Sequence, residues 1–433
     1  MGAELKKLSS FWNKAFLEER PSIGLSFFRI FVAFTVGAHI IPTLLHLDDN
    51  YLHTAFREKN TSFFTPLVLA LVEKSPDGFV LFMTALFYAA LFLFAVGLFS
   101  QLSCILMAVG CYYFYALNSL HIGTLSYDIL LVTLFLMCIT NYHGDFFGLD
   151  SLRRPDPFAY RKKRPFFVQR LLQLQIASTY FYTALCKFTV DGNWFTGNPI
   201  YHLLNSVPQS VVKHFPLRNF FAASPELCKL IGIVMIFCEL SLPFLLFIKR
   251  TRVFAIIAGF LFHVMLVVTL HVPTIFFFLF PPQLLLFIDP EDIVAWIEKR
   301  RAANEKNGRD KIIYDGHCVF CRGSLARLLT LDFTGKLEPV DYQPFENPSE
   351  LHPKLTREIC HSRMQLVTKD GKLYGGFYAF QNLTLKLPLL MPLAPLVFFP
   401  GVNLIGEKAY DLIAKNRYLF HSKAACKDNR CFR

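Results

Sequence analysis

The segment KIIYDGHCVFCRGSLARLLTLD, residues 311–332, decides how the C-terminal part of the chain folds. Residues 311–314 are a short run of the kind that forms β-strands. The Asp-Gly pair at 315–316 is a turn signal, and leucines at helical spacing follow it. The order therefore predicts a strand, a turn and a helix, with Cys318 and Cys321 at the start of the helix.

The C-x-x-C spacing between a strand and a helix is typical of thioredoxin-like redox sites. Cys318 would lie at the helix N-terminus, where unpaired N–H groups and the helix dipole favour the thiolate form. Cys321 lies one turn further along and can close a disulfide with Cys318. We therefore predict that Cys318 is the nucleophile and that Cys321 is the resolving thiol.

Two other interpretations of this cysteine pair stay open. The pair could supply half of a zinc site, because zinc is bound by four Cys or His ligands in structural sites. The remaining ligands would then come from Cys360, His361, Cys426 or Cys431. The pair could also be purely structural. We carry forward the redox interpretation, with no metal.

The sequence from Asp315 to Cys321, with Asp332 closing the helix, resembles the DCC family of thiol-disulfide oxidoreductases, named after its Asp-Cys-Cys signature. Further matching stretches are Met364–Val367, Lys369–Gly371, Gly375-Gly376, Ala379-Phe380 and Tyr410–Tyr418. The resemblance covers nearly all of Ile312–Cys431. It implies an α/β thioredoxin-like fold, in which Cys318 and Cys321 form the redox pair and Asp315 is the signature acid.

The rest of the chain has a different composition. The 433 residues are 54% hydrophobic and 18% charged, whereas soluble chains are about 45–50% apolar and about 25% charged. This excludes a disordered chain and favours a multi-pass membrane protein, with membrane lipid as a partner. The net charge of +12 requires no nucleic acid, because membrane proteins also gather Lys and Arg on their cytoplasmic face.

Apolar runs of the length needed to cross a bilayer predict an α-helical domain of about eight spans. They are Gly24–Leu47, Gly78–Phe99, Leu102–Leu117, Leu125–Tyr142, Phe166–Thr189, Leu230–Ile248, Val253–Leu270 and Val272–Ile288. The last span contains Pro281-Pro282, and we expect it to be broken or re-entrant. The predicted domains are a membrane domain over 1–290, a charged helical linker over 291–309 and the thioredoxin-like domain over 310–433.

Basic residues before and between the spans predict the orientation. With eight spans, the N-terminal arm, the loops after the fourth and sixth spans and the segment after the eighth lie on one side. These four segments hold most of the loop Lys and Arg. The positive-inside rule therefore predicts that the N-terminus and the C-terminal domain are both cytoplasmic.

Ionisable residues inside the spans are costly, so each is a candidate for a functional site. They are Arg29, His39, Asp128, Arg170, Lys187, Glu239 and His263. We predict a polar pocket opening towards the outer half of the bilayer, with Asp128 and Lys187 as a charge pair. A lysine in such a pocket can act as a base; structural hydrogen bonds and salt bridges between helices are the alternative.

The stretch Gln169–Leu204 is similar to the horizontally transferred transmembrane (HTTM) family, which includes the vitamin K-dependent γ-carboxylases. The matching residues are the run Leu171–Tyr182, Lys187, Trp194 and Gly197, with further matches at Arg29-Ile30, Phe146–Asp150 and Phe262-His263. The resemblance covers roughly residues 20–290. It implies that Lys187 stands where the carboxylases have their base for reduced vitamin K. A quinone-like cofactor is the corresponding expectation.

Three functions follow from these observations. The first is a membrane-bound thiol-disulfide oxidoreductase that exchanges Cys318 and Cys321 with an unknown protein or small-molecule redox partner. The second is a carboxylase- or epoxidase-like membrane enzyme that uses Lys187 as base. The third is a transporter or scaffold whose C-terminal redox or zinc domain is regulatory.

Overall fold

Apolar segments of the chain form helices, because a helix satisfies its own backbone hydrogen bonds without water. The computed structural model describes residues 6, 9–52, 71–72, 74–118, 125–189, 192–206, 213, 215–272 and 275–417. The chain forms two compact units. The membrane unit is Met1–Asp150 with Lys162–Glu291, and the C-terminal unit is Ser151–Arg161 with Asp292–Arg433.

The membrane unit consists almost entirely of helices. They are α1 (Ile23–Leu44), α2 (Leu47–Asn50), α3 (Asp77–Val96), α4 (Ser100–Leu117), α5 (Leu125–Cys138), a short α6 (Leu149–Arg153) that runs past its boundary, α7 (Phe167–Thr189), α8 (Asn198–Asn205), α9 (Arg218–Ala222), α10 (Pro225–Phe247), α11 (Arg252–Thr269), α12 (Ile275–Phe278) and α13 (Phe280–Leu285). A two-stranded antiparallel ribbon joins β1 (Glu19–Pro21) to β2 (Lys163–Pro165).

Within the described residues, five helices are long and apolar enough to cross a membrane: α1, α3, α4, α10 and α11. The predicted number of eight is not confirmed. Helix α7 has 23 residues but contains several glutamines. The apolar helix over Tyr127–Cys138 is short, and the predicted eighth span is broken into α12 and α13, as its prolines lead one to expect.

Glutamines on α7 explain how the broken span is tolerated in a membrane unit. The Nε2 atoms of Gln169 and Gln173 each donate to the carbonyl of Leu286, at 2.7 Å. The Thr35 hydroxyl donates to the carbonyl of Phe278 at 2.6 Å, next to the break. These side chains satisfy backbone groups that a continuous helix would have paired internally.

The stretch Phe146–Asp150, which follows α5, fixes the start of α4. The Asp150 carboxylate accepts hydrogen bonds from the Phe99 and Ser100 N–H groups at 3.0 and 2.8 Å, where a negative charge also complements the helix dipole. Arg29 is fully buried and donates to the carbonyl of Phe147. Arg29 therefore ties α1 to this stretch.

The C-terminal unit contains a four-stranded sheet with helices around it. Its strands are β3 (Asp310–Tyr314), β4 (Leu337–Asp341), β5 (Gln365–Val367) and β6 (Leu373–Gly375). Its helices are α14 (Pro290–Lys306), α15 (Val319–Leu331), α16 (Arg357–Ser362), α17 (Gly376–Lys386), α18 (Ala394–Val397) and α19 (Val402–Asn416).

The sheet has the order β4-β3-β5-β6. Strand β3 pairs in parallel with β4 and antiparallel with β5, and β6 pairs antiparallel with β5. Helix α15 makes the crossover between the two parallel strands. Ile312, Leu366 and Leu383 lie at the centre of the core between the sheet and the helices.

Asp332 forms the turn between α15 and β4. Its carboxylate accepts hydrogen bonds from the N–H groups of Lys336 and Leu337, at 2.9 and 2.8 Å. Burial raises the pKa of Asp332, and these two donors offset part of that rise. Asp332 therefore fixes where β4 begins, beside the start of β3.

Candidate functional site

The cysteine pair lies at the end of β3, at the start of α15. Cys318 is the N-cap residue of this helix. The N–H of Cys321 donates to the sulfur of Cys318, with the nitrogen 3.2 Å from the sulfur. A backbone N–H at a helix N-terminus stabilises negative charge on the atom that it contacts. The arrangement suits a sulfur that carries negative charge during a reaction.

The two cysteines differ in their exposure. Cys318 has no exposed surface, whereas Cys321 is partly exposed. Burial and the adjoining Cys318 raise the pKa of the Cys321 thiol to about 12, although the positive charge of Arg417 opposes the rise. Cys321 is thus the more accessible sulfur but holds its proton at neutral pH.

The signature acid Asp315 is buried, and it lies three residues before Cys318 in the turn. Its carboxylate accepts hydrogen bonds from the N–H of His317 at 3.0 Å and from the Nε2 of Gln343 at 2.7 Å. A guanidinium nitrogen of Arg417 lies 3.6 Å from its second oxygen. Asp315 therefore organises the turn before Cys318 and balances the charge of a buried arginine.

Gly316 completes the turn because no larger residue fits there. A Cβ atom on Gly316 would lie 1.9 Å from a carboxylate oxygen of Asp341. The same carboxylate accepts the Gly316 N–H at 2.9 Å. The end of β4 therefore holds the backbone that leads to Cys318.

Sequence reasoning missed three polar residues around the cysteines: Gln343, Tyr342 and Arg417. The Tyr342 hydroxyl lies 3.2 Å from the Nδ1 of His361, and Arg417 donates to the carbonyl of His361 at 2.5 Å. The parallel pairing of β3 with β4 brings the first two to the site. A prediction of that pairing would have found them. Arg417 lies in the stretch Tyr410–Tyr418, whose resemblance to the DCC family was the available signal for it.

The zinc interpretation gains no support from the described residues. Nowhere in residues 6–417, apart from the undescribed gaps, do three His, Cys, Asp or Glu side chains form a group that could hold a metal. Cys360 is buried in an apolar cluster with Ile313 and Leu355. Cys426 and Cys431 lie outside the described residues.

A second candidate site is a cavity of about 500 Å³ in the membrane unit, lined mainly by apolar side chains of α7, α8, α10 and α11. The Nζ atom of Lys187 lies 2.6 and 2.5 Å from the two carboxylate oxygens of Glu239 on its wall. The same nitrogen lies 5.1 Å from the ring centroid of Trp194, in a cation–π contact. The cavity thus has an ion pair in mainly apolar walls.

Another polar pair lies on the wall of this cavity. The Tyr180 hydroxyl is 2.6 Å from the Nε2 of His263. His263 is 2% exposed, and its Nδ1 makes no hydrogen bond. Sequence reasoning missed Tyr180, although Tyr180, Thr183 and Lys187 follow one face of α7 at helical spacing.

Of the residues predicted to form a pocket, Lys187, Glu239, His263 and Trp194 line this one cavity. The predicted charge pair of Lys187 with Asp128 is wrong, because Glu239 is the partner of Lys187. Asp128 instead accepts a hydrogen bond from the Tyr115 hydroxyl at 3.1 Å.

Two further predicted pocket residues lie outside the lining of this cavity. The His39 ring lies 5.5 Å from the ring of Tyr127. Gly197 has a positive φ of 82° and contacts the backbone of α10, where a Cβ would lie 2.4 Å from the Lys229 nitrogen. Gly197 therefore has a packing role between α8 and α10.

A helical membrane unit with a cavity, joined to an α/β unit with a cysteine pair, defines a membrane protein with an appended redox-type domain. The HTTM domain matches residues 18–291, more than half of the chain, and the protein belongs to the HTTM family. The DCC1-like thiol-disulfide oxidoreductase domain matches residues 312–423. The two resemblances seen in the sequence are confirmed. No curated protein and no solved structure matches the chain.

Proposed function

We propose that the C-terminal unit catalyses thiol–disulfide exchange through Cys318 and Cys321. The observation that carries this proposal is the position of Cys318 at the N-cap of α15, with the Cys321 N–H directed at its sulfur. The sheet order, with α15 between two parallel strands, fits the thioredoxin-like fold that the DCC resemblance implies. The match to the DCC1-like domain supports the same chemistry.

The different exposures of the two cysteines favour a division of roles other than the one predicted from sequence. In the oxidised form, an incoming thiolate attacks the accessible sulfur of Cys321. The Cys318–Cys321 bond breaks, and Cys318 leaves as a thiolate that the Cys321 N–H stabilises. A second thiolate then attacks the substrate sulfur of the mixed disulfide. The products are the substrate disulfide and reduced Cys321, which takes up a proton.

Two serine variants of the full chain test the function and the roles together. Removal of Cys318 removes one cause of the raised pKa of Cys321. After incubation with glutathione disulfide at pH 9, where more of the Cys321 thiol is ionised than at pH 7, we expect Cys318→Ser to accumulate a mixed disulfide on Cys321, detected by mass spectrometry of the peptide. Cys321→Ser would carry the mixed disulfide on Cys318 if the prediction from sequence holds. Cys360→Ser, at a buried thiol in an apolar cluster, is the control and should behave like the unchanged protein.

The absence of a mixed disulfide in both variants, combined with unchanged thiols in the wild-type chain, would contradict the proposed exchange. The physiological partner is a thiol or disulfide of a protein or small molecule. It would be recovered as the adduct that forms on the trapping variant in the native membrane.

We also propose that both termini face the cytoplasm, on the basis of the basic residues around the spans. The test is labelling with a membrane-impermeant maleimide in sealed cells and in permeabilised cells. The Cys321 peptide should be modified only after permeabilisation, and Cys321→Ser identifies its signal. Modification in sealed cells would place the C-terminal unit outside.

The membrane cavity supports a second candidate function, the binding of an apolar quinone-like molecule by a carboxylase- or epoxidase-like enzyme. Its walls are mainly apolar, and Lys187 lies among them. The contact with both oxygens of Glu239 modifies the predicted role of Lys187. An ammonium has no lone pair, so Lys187 can act as a base only after its proton passes to Glu239. The base would then be the pair rather than the lysine alone.

Quenching of tryptophan fluorescence by a short-chain naphthoquinone tests this second function, because Trp194 lines the cavity. We expect saturable quenching that Trp194→Phe removes and that Lys187→Met weakens. Asp128→Asn, outside the cavity, should leave the quenching unchanged. Quenching that does not saturate, or that survives Trp194→Phe, would contradict binding in the cavity.

A further inference from the structure

Residues 387–406 of the C-terminal unit, LPLLMPLAPLVFFPGVNLIG, contain no charged side chain. Four prolines interrupt the stretch, so it cannot form one continuous helix. It folds instead into a short 3₁₀ turn over Met391–Leu393, the short helix α18 and the first turn of α19. An apolar sequence of this kind would ordinarily be buried in the core of a domain.

Most of its large side chains are nevertheless exposed. The exposed fractions are 50% for Met391, 42% for Leu393, 66% for Leu396, 48% for Phe398, 66% for Phe399, 67% for Leu404 and 72% for Ile405. We refer to these seven residues as the apolar surface. Soluble proteins rarely expose so many large apolar side chains in sequence, and such patches mark sites of interaction with a partner or a membrane.

The backbone below the apolar surface is held in place. Leu387, Leu390 and Val397 are buried. The Nε2 of Gln381, on α17, donates to the carbonyl of Val397 at 2.7 Å. The outward position of the other side chains is therefore a consequence of the fold.

Helix α19 extends the apolar surface and adds positive charge to it. Leu404 and Leu412 lie on one face at helical spacing, and Leu412 is 64% exposed. Lys408 lies between them and is also exposed. A helix face with large apolar residues and lysines is typical of helices that lie in the membrane interface, where the lysines meet anionic head groups.

We propose that the apolar surface inserts into the boundary between head groups and acyl chains of the bilayer that holds the membrane unit. The C-terminal unit belongs to the same chain as the apolar spans, so a bilayer is always within its reach. The uncharged stretch suits the acyl region, and Lys408 suits the head groups next to it. This proposal does not depend on the redox function.

The test uses the full chain in vesicles of phosphatidylcholine with phosphatidylserine. Phe399 is replaced by the photo-reactive p-benzoylphenylalanine, and the crosslinked products are identified by mass spectrometry. The same replacement at Ile359, which is 37% exposed and lies on α16 outside the apolar surface, is the control. We expect at least tenfold more phospholipid adduct at position 399 than at position 359.

Three outcomes would overturn the proposal: adducts with the membrane unit of the same chain, adducts with a second copy of the chain, or equal lipid labelling at both positions. Hydrogen–deuterium exchange provides a measurement without substitution. We expect the amides of residues 391–405 to exchange more slowly in vesicles than in a detergent-free amphipol, while α16 is unchanged. Equal exchange of residues 391–405 in the two media would also contradict membrane insertion.

Discussion

The two candidate sites of this protein are built in different ways. The cysteine site is local, because the strand, the turn, both thiols and the helix N-terminus lie within residues 310–331. The membrane cavity is assembled from helices that are distant in the chain, and its ion pair joins Lys187 on α7 to Glu239 on α10. The first could be derived from a motif, whereas the second needed the packing of the helices.

This difference explains which predictions were right. Rules for helix ends and turns act over a few residues, so they placed Cys318 at the start of α15. The cost of burying charge marked Lys187 and Glu239 as candidates, but this cost is the same whichever residue is the partner. Only the packing of α7 against α10 decides that Glu239, rather than Asp128, pairs with Lys187.

The largest effect is expected at this ion pair. Glu239→Ala leaves the ammonium of Lys187 in an apolar cavity without its counter-charge. We expect a loss of about 3 kcal/mol in the free energy of unfolding, the order found when one partner of a buried pair is removed. Chemical denaturation in mixed micelles would measure it.

Asp128→Asn is the matched control for this substitution. It keeps a hydrogen-bonding side chain next to Tyr115, and we expect a change below about 1 kcal/mol. The double variant Glu239→Ala with Lys187→Met removes both charges and should recover most of the lost stability. Equal losses for Glu239→Ala and Asp128→Asn would show that the pairing described here is wrong.

A smaller effect is expected in the turn before the cysteines. Gly316→Ala would place a methyl group 1.9 Å from the Asp341 carboxylate. Relieving the clash should cost about 1–3 kcal/mol of the stability of the C-terminal unit, as overpacking does elsewhere. The thermal unfolding midpoint of the full chain, followed by fluorescence, would measure the change.

Gly323→Ala provides the comparison inside α15. Its Cβ would meet only the end of the Arg327 side chain, at 3.4 Å. Replacing a helical glycine by alanine should therefore raise stability, by roughly 0.5–1 kcal/mol. If both alanine variants had the same effect, the contact of Gly316 with Asp341 would not be the reason for the glycine.

The raised pKa of Cys321 predicts how this thiol reacts. Burial and the neighbouring Cys318 keep its proton bound up to a pH of about 12. The thiolate fraction, and with it the rate of alkylation by iodoacetamide, should rise about tenfold per pH unit between pH 7 and 9. Mass spectrometry of the Cys321 peptide follows the rate. A rate that becomes constant below pH 9 would contradict the raised pKa.

The smallest effect is expected at the broken span. Gln169→Leu removes one of the two donors to the Leu286 carbonyl, and Gln173 still satisfies it. We expect a loss of about 0.5–1 kcal/mol for either single variant. The double variant leaves the carbonyl without a donor and should cost more than the sum. Additive losses would mean that the two glutamines act independently.

Particular residues show how far the sequence could predict the rest. The two families and the break in the last apolar run were predicted correctly, and the cysteines lie at the start of α15 as the motif predicted. The number of eight spans was not confirmed. Apolar content alone could not show that two glutamines of α7 donate to the backbone carbonyl of Leu286, after the broken span. Gln343, Tyr342 and Arg417 escaped prediction because they reach the cysteine site through tertiary structure.

The most direct test of the central claim is the redox state of Cys318 and Cys321 in the full chain. The protein, in its native membrane, is equilibrated in glutathione buffers of increasing oxidation and quenched in acid. Peptide mass spectrometry then measures the disulfide. We predict that a disulfide between Cys318 and Cys321 forms and disappears reversibly as the buffer is changed, while Cys360 stays reduced. Two free thiols at every buffer composition would contradict the proposed function.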